Sequence, residues 1–197
     1  YSENKKAYVI LGVTGPNEYE NNVNNNWYTN YLAQWCLLYT TKEILKIKKM
    51  YPKHWNKIKQ KVSWQESEID KWNQIATQMH FPRHPENDIF LQQDGFLDKT
   101  IIPASSIDKS ERPINQHWSW DRILRSPFIK QADVLQGLYL FEENFDYEFI
   151  KKHFDFYEPL TVHESSLSAC VHSILASRLG RIEKAYSLYP VSYTHLR

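Results

Sequence analysis

The 197-residue sequence is poor in glycine and cysteine, and it has no long apolar run. Only five glycines interrupt the chain, so long helices are permitted between them. No apolar stretch approaches the roughly 18 residues that a membrane-spanning helix needs, which excludes such a span. Positive and negative charges nearly cancel, at 24 Lys plus Arg against 23 Asp plus Glu. We therefore expect no nucleic-acid or anionic-membrane partner.

Aromatic residues are abundant, at 15% of the chain, whereas disordered chains contain few of them. The length is sufficient for one sizeable core. The two cysteines, Cys36 and Cys170, lie within apolar patterns, so we expect buried, reduced thiols rather than a disulfide. Reduced thiols favour a cytoplasmic location.

Two long helices are predicted in the first part of the chain. Apolar residues spaced three or four apart from Tyr28 predict a helix buried along a broad face, which ends before Pro52. A second helix is predicted to open at Ser63, because Glu66 three residues later completes the spacing of a capping box. It should end near Pro82.

Residues 80–127 show little helical period and contain several prolines. A loop this long in a compact domain is usually functional, unless it hides short elements. Helical spacing returns in four later segments, at 134–141, 146–153, 167–175 and 182–189. Gly180 ends the third of these, and such a short connection makes the last two antiparallel neighbours. The predicted fold is therefore all-α, built from stacked helical hairpins.

A first polar cluster precedes the first predicted helix. It combines a Gly15-Pro16 turn, a carboxylate at Glu18 and several asparagines. One interpretation is a solvated loop in which Asn25 or Asn26 caps the helix. The other is that Glu18, held on a stiff turn, is a general acid whose pKa is raised by aromatic surroundings. Composition leaves both open.

A second cluster places Lys130 beside Gln131 where a helix is predicted to open. These side chains could simply be exposed to solvent. Together, however, they offer donors and acceptors to adjacent sugar hydroxyls.

A third cluster contains His163, Ser165 and Ser166, immediately before the helical pattern that begins at Leu167. An ordinary serine N-cap would explain the two hydroxyls. The alternative is an anion site, since a helix N-terminus presents unpaired N–H groups and the positive end of the helix dipole. Two hydroxyls and an imidazole would complete a phosphate-sized cradle.

Other chemistries have less support. His80 and His84 have the spacing of a metal pair, but Pro82 between them argues against a shared helical face, and no zinc ligand set is completed. We therefore expect no metal. Glycine-rich phosphate loops and nucleophile elbows are absent from the sequence.

The ordered segments resemble those of glycoside hydrolase family 65, and the likeness runs from about residue 8 to residue 189. The segments are 15–19 (GPNEY), 93–96 (QDGF), 129–134 (IKQADV) and 157–168 (YEPLTVHESSLS). The resemblance implies an (α/α)6-barrel catalytic domain, of which residues 1–189 would be the second half. Residues 190–197 resemble adapter read-through and are expected to be a non-native tail.

The resemblance also implies an activity, the inverting phosphorolysis of an α-glucosyl disaccharide, with maltose as the favoured substrate. Inorganic phosphate is the co-substrate, no cofactor is needed, and the products are β-glucose 1-phosphate and glucose. By position, Glu18 matches the general acid, and Lys130 and Gln131 match the pair that grips the glucosyl ring. The positions that match the phosphate pocket are His163, Ser165 and Ser166.

A single carboxylate suits this reaction, because an inverting hydrolase needs a second one to activate water, whereas phosphate is already a nucleophile. Two alternatives remain. One is a hydrolase of the same family, for which Glu164 is the nearby candidate base. The other is a non-catalytic helical carbohydrate-binding protein. The chain alone is expected to be inactive, and the family suggests a homodimer; the disaccharide linkage stays open.

Overall fold

The computed structural model describes residues 1–194, which form helices, short 3₁₀ turns and isolated β-bridges but no extended strand. The all-α prediction is confirmed. Within this range, no helix has the length and apolar character that crossing a bilayer requires. The α-helices are α1 (Trp27–Met50), α2 (Pro52–Lys61), α3 (Ser67–Thr77), α4 (Ile114–His117), α5 (Trp120–Arg125), α6 (Val134–Leu140), α7 (Tyr147–Tyr157), α8 (Ser166–Arg178) and α9 (Ile182–Thr194).

The chain divides into two compact units. The first comprises residues 1–9 and 29–80, and the second comprises residues 10–28 and 81–194. The first unit therefore contains most of α1 together with α2 and α3, and the second contains α4 to α9. All of the side chains proposed from the sequence for catalysis or binding lie in the second unit.

In the first unit, α1 forms as predicted, but the broad face assigned to the core is largely open. Trp35 and Tyr39 are exposed and stack on each other, with ring centroids 4.9 Å apart. Contact with α3 is made by Gln34, whose Nε2 donates a hydrogen bond of 2.6 Å to the Ala76 carbonyl. Periodicity located the helix but could not show which side is covered.

The second predicted helix forms, as α3, but its predicted start at Ser63 is wrong. An additional helix, α2, precedes this residue, and Ser63 itself has a positive φ of 53°. The next helix, α3, begins only at Ser67, with Glu66 as its N-cap residue. Three tryptophans stabilise the break between α2 and α3. Trp64, which lies in the connection, packs edge-on against Trp55 and Trp72.

Residues 80–127 do contain short elements. They include α4, α5 and 3₁₀ turns at Phe96–Asp98, Ala104–Ser106 and Lys109–Glu111. Residues of this segment contribute to one of the apolar clusters of the second unit. Its buried members are Tyr19, Ala104, Ile107, Ile114, Ile123, Phe128 and Val162. The tyrosine directly after Glu18 thus anchors the first polar cluster in this core.

A second apolar cluster surrounds Trp27, which is fully buried and stacks on Phe90 at 4.9 Å. Phe90 also contacts Phe149 of α7, with ring centroids 5.3 Å apart. Gly137 of α6 lies against the indole so closely that an added Cβ would be 2.4 Å from Trp27 Cζ3. This contact explains the one glycine that the sequence places inside a helix.

At the end of the chain, α8 and α9 pack along each other and are joined at Gly180, whose φ is +71°. The predicted hairpin is confirmed. Helix α9 continues through Pro190 to Thr194. The proposed non-native tail, residues 190–197, stays a prediction, and its last three residues lie outside the described range.

The two cysteines are not core residues. Both Cys36 and Cys170 are exposed free thiols, so the prediction of burial is wrong while that of unpaired thiols is confirmed. Each residue lies on a helix in which apolar residues occur on more than one side, and their spacing does not assign a thiol to the covered side.

Candidate active site

The second and third polar clusters are brought together by backbone pairing. Ile129 and Thr161 form a parallel bridge. The Ile129 N–H donates to the Leu160 carbonyl at 3.0 Å, and the Val162 N–H donates back to the Ile129 carbonyl at 2.9 Å. The loop that carries Lys130 and Gln131 is thereby fixed beside the segment that leads to His163.

The first cluster joins them through the residues around Glu18. The Glu18 N–H donates to Gln131 Oε1 at 3.0 Å. The Asn17 side-chain oxygen accepts hydrogen bonds from the Lys130 N–H at 3.0 Å and from the Tyr19 N–H at 3.2 Å. Residues more than 110 positions apart are thus held together by directional bonds rather than by apolar contact alone.

Asp133 lies beneath this arrangement and is buried. Its two oxygens each accept from Asn26 Nδ2 at 3.0 Å, and Oδ2 also accepts from the Asn17 N–H at 3.3 Å. Burial raises the pKa of Asp133 to about 7, although the hydrogen bonds from Asn26 and Asn17 act to lower it. An added Cβ at Gly15 would approach Asp133 Oδ2 to 2.5 Å, so the glycine is required for this close packing.

The interpretation of the first cluster as a solvated loop is therefore wrong for its buried asparagines, although Asn21, Asn22 and Asn24 are exposed. Asn17, Asn25 and Asn26 are each at most 1% exposed. Their amides form an internal polar network, as buried polar groups require. The network positions the backbone of Glu18 while leaving its carboxyl group accessible.

The Glu18 carboxylate is 58% exposed, and Lys130 Nζ lies 2.6 Å from its Oε2. Hydrogen bonds from Lys130 and then Gln131 hold the pKa of Glu18 below its usual value. The expectation that aromatic surroundings raise this pKa is wrong for this structure. Because the carboxylate faces solvent, burial opposes the ammonium group only weakly.

Glu18 lines two cavities of the size that binds small ligands. It shares the larger, of about 650 Å³, with Gln131 and Ser166. It shares the other, of about 470 Å³, with Lys130 and two tryptophans, Trp118 and Trp120. The structure therefore places members of all three clusters on connected surfaces around one carboxylate.

Neither Lys130 nor Gln131 is freely solvated. The Lys130 side chain is 24% exposed, and Gln131 is 6% exposed. The interpretation of this pair as ordinary surface residues is wrong. Both lie just before α6 rather than within it. The Gln131 side chain accepts from the Glu18 N–H, and Lys130 is held by its backbone N–H bond to Asn17 and its Nζ bond to Glu18.

Ser165 is the N-cap residue of α8 by position, with an extended backbone, but its side chain makes no capping hydrogen bond. The interpretation as an ordinary serine cap is therefore wrong. Ser165 and Ser166 are both partly buried, and Ser166 lines the larger Glu18 cavity. The 13-residue helix behind them directs its positive end towards this position.

His163 has a positive φ of 54°, which is uncommon for a residue other than glycine. Its Nε2 lies 3.3 Å from Glu158 Oε1, and its Nδ1 lies 3.3 Å from Ser168 Oγ. It lines a different cavity from Ser166, one of about 420 Å³ shared with Arg112 and Lys184. The structure thus joins Glu18, Gln131 and Ser166 on one cavity but does not place His163 there.

Behind His163 lies a second imidazole, that of the fully buried His172. The two ring centroids are 4.8 Å apart, and neither nitrogen of His172 has a hydrogen-bond partner. Burial lowers the pKa of His172 to about 3. At Glu158, burial acts to raise the pKa, but hydrogen bonds from His163 and Lys184 prevail and lower it to about 2.

Glu164, the candidate base of the hydrolase alternative, is already engaged. Its carboxylate is 8% exposed and accepts from Arg112 Nε at 3.2 Å, the Ile114 N–H at 3.0 Å and Tyr19 Oη at 3.1 Å. A carboxylate with these partners is an anchor between segments rather than a base open to water.

Sequence reasoning missed several residues that shape this region. Asn17 lies in segment 15–19 and Asp133 in segment 129–134, but nothing in their spacing shows that they form a hydrogen bond. Arg112 lies in the long loop, 52 residues from Glu164. An isolated arginine among prolines gave no signal. His172 also gave no signal, because a histidine on an apolar helix face is usually interpreted as a core residue.

Comparisons with known proteins identify the family. The profile of the "Glycosyl hydrolase family 65 central catalytic domain" matches residues 1–195. The chain is 51% identical to a maltose phosphorylase from Bacillus subtilis (strain 168) over 189 residues, which is 96% of this chain and 24% of that protein. It is 40% identical to an α,α-trehalose phosphorylase from Thermoanaerobacter brockii, over 92% of this chain and 24% of that protein.

A solved structure is similar to this chain as well. It is a protein from the human microbiome, provisionally assigned as a kojibiose phosphorylase, with 36% identity and a TM-score of 0.86. The match covers 96% of this chain and 25% of that one. The chain thus spans about a quarter of the length of the relatives it matches. The resemblance and the helical barrel fragment are confirmed: the chain belongs to glycosyl hydrolase family 65, as part of its central catalytic domain.

Proposed function

We propose that the complete protein containing this chain catalyses the inverting phosphorolysis of an α-glucosyl disaccharide, and that Glu18 is the general acid. The observation that carries the proposal is the larger cavity, which Glu18 shares with Gln131 and with Ser166 at the start of α8. A proton donor, a sugar-binding amide and an anion-binding helix end then surround one space of about 650 Å³. Relatives named as disaccharide phosphorylases support the same chemistry.

In the proposed reaction, the bond between the glucosyl C1 and the bridging oxygen breaks. The bridging oxygen takes the proton of Glu18 and leaves as a hydroxyl of the released sugar. A phosphate oxygen forms the new bond to C1 from the opposite face, so the configuration inverts. The products are β-glucose 1-phosphate and, from maltose, glucose. No cofactor takes part, and phosphate is the co-substrate.

Glu18 must be protonated to act as an acid, yet Lys130 favours its charged form in this structure. We propose that the glucosyl ring resolves this conflict. If Lys130 Nζ donates to sugar hydroxyls, its 2.6 Å bond to Glu18 is lost, and exclusion of water by the sugar raises the pKa of the carboxyl group. The acid would then be formed mainly in the substrate complex.

Phosphate is proposed to bind at the N-terminus of α8. Ser165 and Ser166 supply hydroxyls, and the first-turn N–H groups and the helix dipole supply positive potential. His163 lies three residues before Ser166 and has a strained backbone. It does not share the Ser166 cavity here, so its proposed role requires the ring to turn towards the anion.

Two alternatives make different predictions. A hydrolase of the same family needs a base carboxylate, and the engagement of Glu164 by Arg112, Ile114 and Tyr19 disfavours it. A non-catalytic carbohydrate-binding protein would keep sugar affinity without turnover. The relatives bear names that include maltose, trehalose and kojibiose, so the linkage cleaved by this protein is open. We propose maltose.

Cellular setting and assembly are further proposals. Two exposed free thiols, Cys36 and Cys170, suit a reducing compartment, and we propose the cytoplasm. A homodimer of the complete protein is proposed from the family likeness. Near-zero net charge supports the absence of a nucleic-acid partner.

The test is the phosphate dependence of the complete protein. Disaccharides with different α-glucosidic linkages are incubated with and without phosphate, and glucose 1-phosphate and its anomeric form are measured by NMR. We expect release of β-glucose 1-phosphate, strictly dependent on phosphate, and fastest with maltose. Equal cleavage without phosphate would support the hydrolase, and binding without cleavage would support the non-catalytic alternative. The chain of 197 residues alone is expected to be inactive.

A further inference from the structure

A group of three potential metal ligands lies outside the Glu18 cavities. Glu158, His163 and His172 each offer one ligand atom, and these atoms lie within 4.8 Å of one another. The group combines one carboxylate with two imidazoles, the ligand types that Zn²⁺ accepts. No larger or second group of this kind occurs among the described residues, 1–194.

The separation of the first two ligands suits a tetrahedral ion. Zn–N and Zn–O bonds of about 2.0–2.2 Å make the distance between two ligand atoms on a tetrahedron about 3.4 Å. His163 Nε2 and Glu158 Oε1 are 3.3 Å apart. A zinc ion could therefore replace the proton between these two atoms with little movement of either side chain.

His172 provides the independent observation that points to a ligand. Its side chain is fully buried, and both ring nitrogens lack a hydrogen-bond partner. Leaving a buried polar group unpaired is costly, and such groups in folded proteins normally have a partner or a function. The ring of His172 meets that of His163 edge-on, with centroids 4.8 Å apart. A metal ion between them would satisfy one of its nitrogens.

The surroundings provide both an entrance and a supporting contact. Glu158 and His163 line the open cavity of about 420 Å³, so an ion can reach them from solvent. Ser168 Oγ lies 3.3 Å from His163 Nδ1. When Nε2 binds metal, Nδ1 carries a proton, and its N–H would donate a hydrogen bond to Ser168 Oγ. Hydrogen bonds of this kind orient metal-binding histidines.

Two positively charged side chains near these ligands disfavour the binding of a metal ion. Lys184 forms a short ion pair with Glu158, and Arg112 lines the same cavity. Metal binding must therefore displace Lys184 from Glu158, so the site is expected to be weaker than a closed structural zinc site. An affinity of this kind suits reversible inhibition rather than a resident cofactor.

We propose that Glu158, His163 and His172 form an inhibitory binding site for Zn²⁺ or a similar transition-metal ion, which withdraws His163 from phosphate. The metal-binding part stands on the three side chains alone. The inhibitory part rests on the proposed function, in which His163 contacts phosphate.

Metal binding is tested on the complete, chelator-treated protein. Zn²⁺ is titrated against a chromophoric indicator, and Co²⁺ is added separately because its visible absorption reports tetrahedral coordination. We expect the original protein to bind one equivalent of Zn²⁺. Glu158→Gln and His172→Leu should each lower the affinity by roughly 100-fold or more, since loss of a residue that only orients a ligand already costs about 10–100-fold. Lys184→Met should bind more tightly. His54→Ala removes an exposed histidine and should change nothing.

Unchanged affinity in Glu158→Gln and His172→Leu, or no bound equivalent in the original protein, would overturn the proposal. Glu158 is only partly buried, so Glu158→Gln carries the test if His172→Leu does not fold. Inhibition by Zn²⁺ should be competitive with phosphate and not with the disaccharide. If the protein binds zinc as expected but has no phosphorolytic activity, the proposed function fails and the metal site stands.

Discussion

At the scale of single residues, the sequence identifies some members of this site but not their environment. Glu18 could be singled out because a carboxylate follows a rigid Gly-Pro turn. The sign of its pKa shift could not, since it is set by Lys130, 112 positions away in the sequence. The same holds for Asp133, whose burial and bonds to Asn26 depend on a fold that brings distant loops together.

A buried histidine makes a residue-scale prediction about pH. His153 Nε2 accepts from the Phe90 N–H at 2.8 Å, and its Nδ1 bonds to the Phe149 carbonyl at 2.8 Å, so the ring is held neutral. Burial lowers the pKa of His153 to about 4. An unfolded histidine titrates near 6.5, so the unfolded state binds more protons between pH 6.5 and 4. The contribution of His153 to the free energy of unfolding should therefore fall as the pH drops through this window.

The expected slope from His153 is up to about 1.4 kcal/mol per pH unit. Urea denaturation at several pH values measures it. In His153→Gln the slope should decrease by this amount, because His172 adds to the slope and buried Asp133 opposes it equally in both proteins. His117→Gln, at an exposed position, is the matched control and should keep the full slope. An unaltered slope in His153→Gln would contradict this explanation.

At the scale of elements, the helices rich in apolar residues were predicted, whereas the short, lysine-rich α2 was not. Helix α1 and the hairpin of α8 and α9 follow from their spacing and from Gly180. Helix α2 is short and rich in lysine, and its apolar stripe consists only of Trp55 and Ile58. Its proline at the first position was the available signal.

The packing of α6 against the start of α1 predicts the effect of a small substitution. Gly137→Ala would improve helix propensity by about 1 kcal/mol. The added methyl group, however, would lie 2.4 Å from Trp27 Cζ3, and the indole is fully buried. Overpacking typically costs about 1–3 kcal/mol, so we expect net destabilisation, measured by chemical denaturation.

Gln136→Ala is the matched control for this substitution, because it places alanine one position earlier without adding an atom. Its stability should stay close to that of the original protein. Combining Gly137→Ala with Trp27→Leu should cost less than the sum of the two single changes, since the smaller side chain makes room for the methyl group. A more stable Gly137→Ala protein would show that the contact is not restrictive.

At the scale of the whole molecule, the resemblance predicted the family and the helical fold from four ordered segments of the sequence. It did not predict which helix faces are covered. Exposed apolar side chains on α1, such as Trp35 and Tyr39, show that periodicity records amphipathic character without naming the partner. It also could not foresee that Ser166 and His163 would line separate cavities.

The central claim is that Glu18 supplies the proton to the leaving sugar while phosphate attacks. Fluoride leaves without protonation, so α-glucosyl fluoride separates this role from binding and from phosphate attack. In the complete protein, Glu18→Gln should lower the rate of disaccharide phosphorolysis by roughly 10²–10⁴-fold. The rate with α-glucosyl fluoride and phosphate should stay close to that of the original protein. Equal losses with both substrates, or no loss with the disaccharide, would contradict the assignment of Glu18 as the acid.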